Sequence, residues 1–381
     1  MERFKCLLIL CFIFMFWTTG CFNVDLAEQR ERDAGRGNTI LIGVPLPMEF
    51  AKENTKFING LRLALNEINE EGINGKKIEL DIRDDKGNFK EAVDIAQEFS
   101  ENTNMLAVIG HWFSDICIPV SSIYEDAGML TIVPTVSNPE LTRHGYNYIF
   151  LNIASDNSIA DSMAEFAQDS GYQRVVIYYE DSTYGRNFAN TIENISHKHD
   201  IKVVDRRSGL TTSGQFKRAH DKWNALEYDA VLVALNMPEG ADFIRQLRNI
   251  NDEVGIITGD ALDVGNFIEV LGGDAEGVVI TTGYNPYHDT PELQKFTEKY
   301  KSEYNENPDL WAIQGYESLM LIAHALENTN SYSPDVLADY LRNMDPVQTT
   351  LGEVHFNEFS EITGRNNYQK VVVDGEFIYL E

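Results

Sequence analysis

The sequence is poor in cysteine and in basic residues, and each shortage excludes a class of protein. Four of the 381 residues are cysteines, too few for a fold held together by disulfides. Lysine and arginine number 31 against 60 aspartates and glutamates, which gives a formal net charge of −29. A surface this acidic repels nucleic acid, so we expect no nucleic-acid partner. Hydrophobic residues make up 43% of the chain, enough for a substantial core.

Sequence motifs of several common enzyme and nucleotide-binding classes are also missing. No GxGxxG follows the first predicted strand, and the chain contains neither a GxxxxGK[ST] loop nor a GxSxG turn. His197 and His199 are two residues apart on a predicted helix, which directs them to different sides and disfavours a shared metal. The pair Asp84-Asp85 is more typical of a helix cap or a solvated loop than of a cation site. We therefore expect neither a cofactor nor a bound metal.

The first 20 residues have the order of a signal peptide. A basic start, MERFK, is followed by the apolar run CLLILCFIFMFW and by small residues up to Cys21. That run is short for a bilayer, which needs about 20 residues, although an uncleaved membrane anchor is the alternative. The end of the segment resembles a bacterial lipoprotein signal, with Thr18 where Leu is usual, and this implies cleavage before Cys21 and a lipid on its sulfur. Residues 22–37 are charged and aperiodic, so we expect 21–37 to be a lipidated cysteine and a flexible tether.

From Asn38 onward, strand and helix patterns alternate in two successive series. The runs TILIGVPL, MLAVIG and MLTIVP have the length and composition of buried strands, with amphipathic helical patterns between them. A second series begins at RVVIYYE and continues to GVVITTGY. Repeated βα units predict an α/β fold with parallel sheets covered by helices, and two series predict two similar lobes.

Hydroxyl side chains follow two of the predicted strands. Ser114 lies just beyond MLAVIG, and Thr135 and Ser137 lie just beyond MLTIVP. Ligands of open α/β sheets bind at the carboxyl ends of the strands, and hydroxyls with free N–H groups at helix starts suit a carboxylate. From the residues alone, ordinary N-capping is the favoured interpretation of each serine. A short helix is predicted to start near Pro119.

The segment VIGHWFSDICIPVSSIYEDAGMLTIVPTVSNPELT closely resembles the binding segment of the periplasmic Leu/Ile/Val-binding proteins, which serve ABC importers. The stretches LALNEINEEGINGKKIELDIRDD, YEDSTYG, PEGADFIRQLR and FNEFSEITG agree, so the resemblance runs from Thr39 to the C-terminus. It implies the periplasmic binding protein type I fold, in which two Rossmann-like lobes with parallel central sheets are joined by a three-stranded hinge. By this resemblance the first lobe takes 38–153 and 283–346, and the second takes 156–281 and 347–381.

The resemblance also implies a set of ligand contacts, residue by residue. Ser114 matches the serine that holds the ligand's carboxylate. Thr135 and Ser137 match a pair that holds its carboxylate and ammonium. Tyr184 matches an aromatic residue of the second lobe that comes down when the lobes close. Asp260 matches the acid that pairs with the ammonium, and a carboxylate at a strand end suits that cation.

Several positions depart from the family's pocket wall. Glu53 stands near the position of an aromatic residue, and Asn236 stands where the second lobe often has another. Trp112 and Asp115 also change the wall of the crevice, and Asp115 would repel a carboxylate if it pointed inward. The anchor for an α-amino acid is retained, whereas the slot for a Leu, Ile or Val side chain is altered.

These observations lead to three hypotheses about function. The first is a lipid-anchored, exported protein, periplasmic or on the outer face of the cytoplasmic membrane, that delivers an amino acid or a related compound to an ABC permease. In the second, the protein presents the same ligand to a membrane receptor or sensor kinase. The third is an exported enzyme using Cys117, Asp115, Asp260 or His111, but these residues have no recognised catalytic spacing, so we expect no enzymatic activity. Cys117 is more typical of a small packed apolar group than of a nucleophile.

If the lipid is the membrane anchor, Cys21→Ser should move the protein from the membrane fraction to the soluble fraction. The substitution removes the sulfur that carries the acyl chains, and the short apolar run does not hold a protein in a bilayer by itself. Fractionation followed by immunoblotting measures this shift, with Cys11→Ser, inside the signal, as the matched control that stays with the membrane. Continued membrane attachment of Cys21→Ser would instead indicate an uncleaved signal helix.

Overall fold

The first of the two lobes is organised around a parallel sheet of five strands. The computed structural model describes residues 25–380, so the predicted signal peptide and Cys21 lie outside the described residues. The sheet order is β2-β1-β3-β4-β5. Its strands are β1 (Thr39–Leu46), β2 (Lys77–Asp84), β3 (Met105–Ile109), β4 (Leu130–Val133) and β5 (Ile149–Leu151). Both central strands, β3 and β4, are buried along their whole length, as expected of parallel strands covered on both faces.

Helices from two separate parts of the chain pack in this lobe. The first part supplies α1 (Leu26–Arg36), α2 (Met48–Asn54), α3 (Phe57–Glu71), α4 (Phe89–Glu101) and α5 (Ser114–Asp126). The later part supplies α11 (Pro291–Tyr304), α12 (Leu310–Thr329) and α13 (Pro334–Asn343), whose buried residues belong to the same hydrophobic core. None of the helices within residues 25–380 is both long and apolar enough to cross a membrane.

The second lobe contains a seven-stranded sheet with the order β15-β14-β10-β9-β8-β6-β7. Strands β6 to β10 pair in parallel, whereas β14 and β15 form an antiparallel hairpin at the edge. The strands are β6 (Arg174–Tyr179), β7 (Lys202–Arg207), β8 (Ala230–Ala234), β9 (Gly255–Thr258), β10 (Val278–Thr282), β14 (Tyr368–Val373) and β15 (Glu376–Tyr379). The helices are α6 (Asp156–Asp169), α7 (Thr183–Ser196), α8 (Ser213–Ala225), α9 (Glu239–Arg248) and α10 (Phe267–Leu271), with 3₁₀ turns at His197–His199, Asp260–Leu262 and Gly272–Ala275.

The chain crosses between the two lobes after β5, after β10 and after a small third sheet, which confirms the predicted two-lobed α/β class. The third sheet consists of β11 (Val347–Thr349), β12 (Gly352–Phe356) and β13 (Ile362–Thr363). Its inward residues Val354 and Phe356 lie in the core of the first lobe. The prediction that the second lobe resumes at residue 347 is therefore wrong, and the last crossing lies at 364–367. Alternation identifies VHFNEF as a strand but does not tell which lobe its apolar face covers.

The predicted flexible tether is also wrong over most of its length, because residues 26–36 form the helix α1. Arg30, on its inner face, is fully buried and donates hydrogen bonds to the carbonyls of Ser100 (2.9 Å), Asn102 (3.0 Å) and Met105. Ser100 and Asn102 lie at the C-terminal end of α4, where carbonyls lack partners within the helix and favour a cation. Burial lowers the pKa of Arg30 to about 10, which leaves the guanidinium charged at neutral pH.

Two glycines bring α3 and α12 into unusually close contact. A Cβ on Gly60 would lie 1.7 Å from the carbonyl oxygen of Ala312, and one on Gly315 would lie 2.3 Å from that of Phe57. Neither position accepts a larger residue without moving a helix. This contact fixes the start of α12, which carries Trp311, against Phe57 at the start of α3.

We predict that Arg30→Met lowers the free energy of unfolding by about 1–3 kcal/mol, because it leaves buried carbonyls without their donor. Equilibrium denaturation in urea measures the change. Arg32→Met is the matched control, since Arg32 lies on the exposed side of α1 in a 3.4 Å ion pair with Glu28, and an exposed pair contributes little. Equal losses in both variants would show that the Arg30 contacts do not hold α1 in place.

Candidate functional site

The carboxyl ends of β3, β4 and β9 meet at a small pocket between the lobes, which we call the inner pocket. It brings together all five residues predicted to contact a ligand, along with two of the three predicted wall residues. The full lining consists of Phe50, Trp112, Phe113, Ser114, Thr135, Ser137, Tyr184, Asn236, Asp260, Ala261, Val264 and Trp311. The first lobe supplies the three hydroxyl residues, and the second supplies Tyr184 and Asp260.

Ser114 is the first residue of α5, so this helix begins five residues earlier than predicted and contains Pro119 in its second turn. Ser114 is a buried residue, and its hydroxyl takes part in none of the hydrogen bonds among residues 25–380. The backbone N–H groups of Ser114 and Asp115 lie in the first turn, where no preceding carbonyl of the helix accepts from them. This end of the inner pocket therefore offers donors and a positive helix end to an anion.

The hydroxyl hydrogens of Thr135 and Ser137 are already used within the protein. Thr135 Oγ1 donates to the carbonyl oxygen of Trp112 at 2.9 Å, and Ser137 Oγ donates to Asp156 Oδ1 at 2.6 Å. Each oxygen retains acceptor capacity, which suits an ammonium better than a carboxylate. The geometry thus separates the donor role of Ser114 from the acceptor role of these two residues.

Two buried carboxyl groups without a cation lie at the other end of the site. Burial and the neighbouring charges of Asp156 and Asp263 raise the pKa of Asp260 to about 8. Burial raises the pKa of Asp156 to about 7, and its Oδ2 atom has no partner. Neither group forms an ion pair with any described residue, whereas Asp263 is paired with Lys370 Nζ at 2.5 Å. The acidic end of the site therefore has no balancing cation among the described residues.

Tyr184 adds a neutral donor to this acidic end. It lies in the first turn of α7, with its ring stacked on Phe188 at a centroid distance of 5.5 Å. Burial and the charges of Asp260 and Asp156 raise its pKa well above the ordinary value. The phenol consequently stays protonated, and its hydroxyl group can donate to or accept from a bound ligand.

Aromatic rings fill the first-lobe side of the inner pocket. Trp112 contacts Phe50, Phe57 and Trp311 at centroid distances of 5.7, 5.5 and 5.2 Å. Trp311 is held by a 2.7 Å hydrogen bond from its Nε1 to the carbonyl oxygen of Asp263, in the second lobe. The remaining free volume is about 30 Å³, room for roughly two water molecules.

Glu53 was predicted as a wall residue, and this assignment is wrong. Its side chain is exposed, and its contact with the second lobe is a 3.3 Å hydrogen bond from Asn266 Nδ2 to its backbone carbonyl. Phe50, one turn earlier on α2, takes the wall position instead. Sequence analysis also missed Trp311 and Asp156, which come from the start of α12 and the start of α6. Residue type marks neither of these two as a site residue, because each is a common helix-start or core residue.

A larger cavity, which we call the outer cavity, lies beside the inner pocket and has a volume of about 790 Å³. It is lined mainly by the second lobe. The two spaces share five lining residues, namely Phe50, Phe113, Ser114, Tyr184 and Asn236.

Hydrogen bonds between the lobes hold the cleft closed around these spaces. Thr183 N donates to Asp115 Oδ1 at 2.9 Å, and Gly265 N donates to the carbonyl oxygen of Asn54 at 3.1 Å. On the other side of the cleft, Asn187 Nδ2 donates to Glu140 Oε2 at 3.0 Å. Asp115 is exposed and engaged by the opposite lobe, and it leaves the Ser114 end of the inner pocket free of negative charge.

A bilobal fold with a polar pocket enclosed at the strand ends defines a ligand-binding protein. The chain belongs to the periplasmic binding protein family, whose family model matches residues 39–369. It is 24% identical over 345 residues to the Leu/Ile/Val-binding protein homolog 1 of Brucella suis, covering 89% of this chain and 92% of that protein. It is 27% identical over 311 residues to the leucine-specific-binding protein of Salmonella typhimurium, covering 80% and 83%.

Among solved structures, the chain is similar to an ABC transporter substrate-binding protein from Desulfitobacterium hafniense in complex with Leu. The two share 35% sequence identity with a TM-score of 0.82, and the match covers 90% of this chain and all of that one.

We predict that the ligand-free protein loses stability as the pH rises from 5 to 8, in part because of Asp260. Its raised pKa means that the folded state holds a proton which the unfolded chain has already lost above about pH 4, so stability falls as the pH approaches 8. Because Asn has no proton to lose, Asp260→Asn should lose about 3–4 kcal/mol less stability than the wild type between these pH values. Denaturant titrations at both pH values measure this gain. Asp252→Asn, at an exposed position, is the control and should keep the wild-type dependence of stability on pH. If Asp260→Asn also kept that dependence, the raised pKa would not belong to Asp260.

Proposed function

We propose that this protein captures an α-amino acid in the closed cleft and delivers it to an ABC permease. The observation that carries the proposal is the charge arrangement of the inner pocket. Unpartnered donors at the start of α5 lie at one end, and the buried carboxyl group of Asp260, without a cation, lies at the other. A zwitterion presents a carboxylate and an ammonium close together, and it matches both ends at once.

Each end of the pocket has a defined task in this mechanism. The ligand's carboxylate accepts hydrogen bonds from Ser114 Oγ and from the first N–H groups of α5. Its ammonium donates to Asp260 and to the oxygens of Thr135 and Ser137. These contacts replace the water that both charges lose on burial, and charge-assisted hydrogen bonds in a closed site are stronger than neutral ones.

Closure follows from the way in which the site is divided between the lobes. The carboxylate contacts belong to the first lobe and the acidic contact belongs to the second, so one ligand bridges them and favours the closed arrangement. The names of the relatives support transport as the output: they are Leu/Ile/Val-binding and leucine-binding proteins, and the Desulfitobacterium protein is described as an ABC transporter component. Export and a lipid on Cys21 complete the proposal, since the captured ligand must be released at a membrane.

Two of the residues predicted as catalytic candidates, Cys117 and His111, are enclosed within the first lobe. Cys117 is buried, and burial raises the pKa of its thiol to about 12, so the thiolate needed for nucleophilic attack is scarce at neutral pH. His111 is held between Asp85 Oδ2 at 2.8 Å and the Tyr124 hydroxyl at 3.0 Å, inside the first lobe. These contacts support capture and release rather than turnover.

We predict that Ser114→Ala and Asp260→Asn each weaken amino acid binding by about 1–3 kcal/mol, because each removes a charge-assisted contact. Isothermal titration with the twenty common amino acids identifies the ligand and measures the loss. Ser122→Ala is the matched control, since Ser122 lies on α5 but is exposed and bonded to the carbonyl of Pro119. The absence of binding by any amino acid to the wild-type protein would refute the proposed function.

A further inference from the structure

The two adjoining cavities differ more than twentyfold in volume. The inner pocket has about 30 Å³ of free space and the outer cavity has about 790 Å³. The volume of the inner pocket is small because Trp112 and Trp311 pack across it, each in contact with the other. With the lobes closed, this space suits the carboxylate and ammonium of a ligand but leaves no room for a branched side chain.

The outer cavity adjoins the inner pocket and is the larger space available to the rest of a ligand. Five residues line both spaces, so no further layer of protein separates them. Phe50, Phe113 and Ser114 form this boundary on the first lobe, and Tyr184 and Asn236 form it on the second. A ligand anchored by Ser114 and Asp260 would place its side chain across that boundary. The volume of the outer cavity lies within the range typical of small-molecule sites.

The lining of the outer cavity combines acids with aromatic faces. Of its 22 residues none is a lysine, arginine or histidine, and five are acids, namely Asp115, Glu180, Asp181, Glu239 and Asp242. Seven are aromatic, and two of these, Tyr178 and Phe243, are stacked 4.0 Å apart as part of the floor. Carboxylates with aromatic faces form the combination that recognises an organic cation. Asp181 and Asp242 already have a cation, with Arg186 at 2.6 Å and Arg245 at 3.3 Å, whereas Asp115, Glu180 and Glu239 have none among the residues that the structure describes. A neutral aliphatic side chain would use the rings and leave these three acids without a cation.

Two of these acids are positioned by hydrogen bonds near the boundary with the inner pocket. Glu180 is half-buried and accepts from Asn236 N at 2.7 Å, from Asn236 Nδ2 at 2.9 Å and from Ser182 Oγ at 2.6 Å. These bonds fix a carboxylate beside a boundary residue. Asp115 accepts both of its hydrogen bonds, from Thr183 N and Oγ1, on Oδ1 alone, so Oδ2 is not engaged by any residue that the structure describes. Both carboxylates retain capacity to accept from a further donor.

We infer that the ligand is a basic α-amino acid, whose guanidinium or ammonium side chain enters the outer cavity while its head group occupies the inner pocket. This inference rests on the proposed function and goes beyond it by naming the side-chain class. The head-group contacts are common to every amino acid, whereas the outer cavity distinguishes a cationic side chain from a neutral one. Asp115 and Glu180 are the specificity-determining residues in this assignment.

Pairs of ligands with the same shape and different charge test the inference. Isothermal titration of the purified protein would compare arginine with citrulline and lysine with norleucine, and would include leucine and phenylalanine. Each basic ligand should bind at least tenfold more tightly than its neutral counterpart. Asp115→Asn and Glu180→Gln should reduce that ratio, because any loss of lobe closure weakens both members of a pair alike, whereas loss of the carboxylate weakens only the basic ligand. Asp252→Asn, which removes one charge from an exposed site lining neither cavity, should preserve the ratio.

The possible failures are distinguishable. If leucine or phenylalanine binds most tightly and arginine equals citrulline, the inference is wrong, but the proposed capture of an amino acid stands. If no ligand of this panel binds, the inference fails, and the titration with all twenty common amino acids decides whether the proposed function fails with it. If the basic ligands bind preferentially but both variants retain the wild-type ratio, the assignment of the cation to Asp115 and Glu180 is overturned.

Discussion

The interaction on which the cleft depends is one that the chain leaves incomplete, namely the contact of Asp260 with a positive charge. Other buried acids nearby have a cation from the protein: Asp263 has Lys370, and Glu317 has Arg365. Asp260 and Asp156 have none among residues 25–380, and burial raises the pKa of both. A buried charge without a partner is costly, so the empty closed cleft favours protonated carboxyl groups. In the proposed function a ligand ammonium removes that cost, and the ion pair would therefore couple closure to binding.

Coupling of this kind requires a hinge whose strands stay in place relative to one another while the lobes move. Arg365 holds two of the three crossings together. Its guanidinium donates to Asn152 Oδ1 at 2.8 Å, to Gln314 Oε1 at 3.2 Å and to Glu317. Asn152 lies in the first crossing and Arg365 in the third, whereas Gln314 and Glu317 belong to α12. The same helix begins beside Trp311 in the inner pocket. One rigid helix thus connects the hinge to the wall of the site.

The sequence alone was sufficient to predict the site residues that lie at the carboxyl ends of strands. Periodicity located the βα units, and the carboxyl-end rule placed Ser114 and Thr135 near each other without knowledge of the tertiary contacts. The sequence was insufficient where long-range packing decides whether a side chain is buried or faces the cleft. Arg30 looks like a surface residue of a polar segment, and only the carbonyls of residues 100–105 explain its burial. The exchange of Glu53 for Phe50 has the same origin, since one turn of α2 decides which side chain faces the cleft.

Because the cleft contains two spaces, different residues can determine how tightly a ligand binds and which side chain is preferred. Under the proposed assignment, the inner pocket uses groups that every α-amino acid satisfies, so it contributes binding without selecting a side chain. Selection requires a difference between ligands, and the outer cavity supplies one because its acids are paired by some side chains and left unpaired by others. Trp112 and Trp311 make this division possible by occupying the space in which a branched side chain would otherwise lie. One chain can therefore keep the family's contacts to the amino acid head group and still select a different side chain, because different residues determine the two.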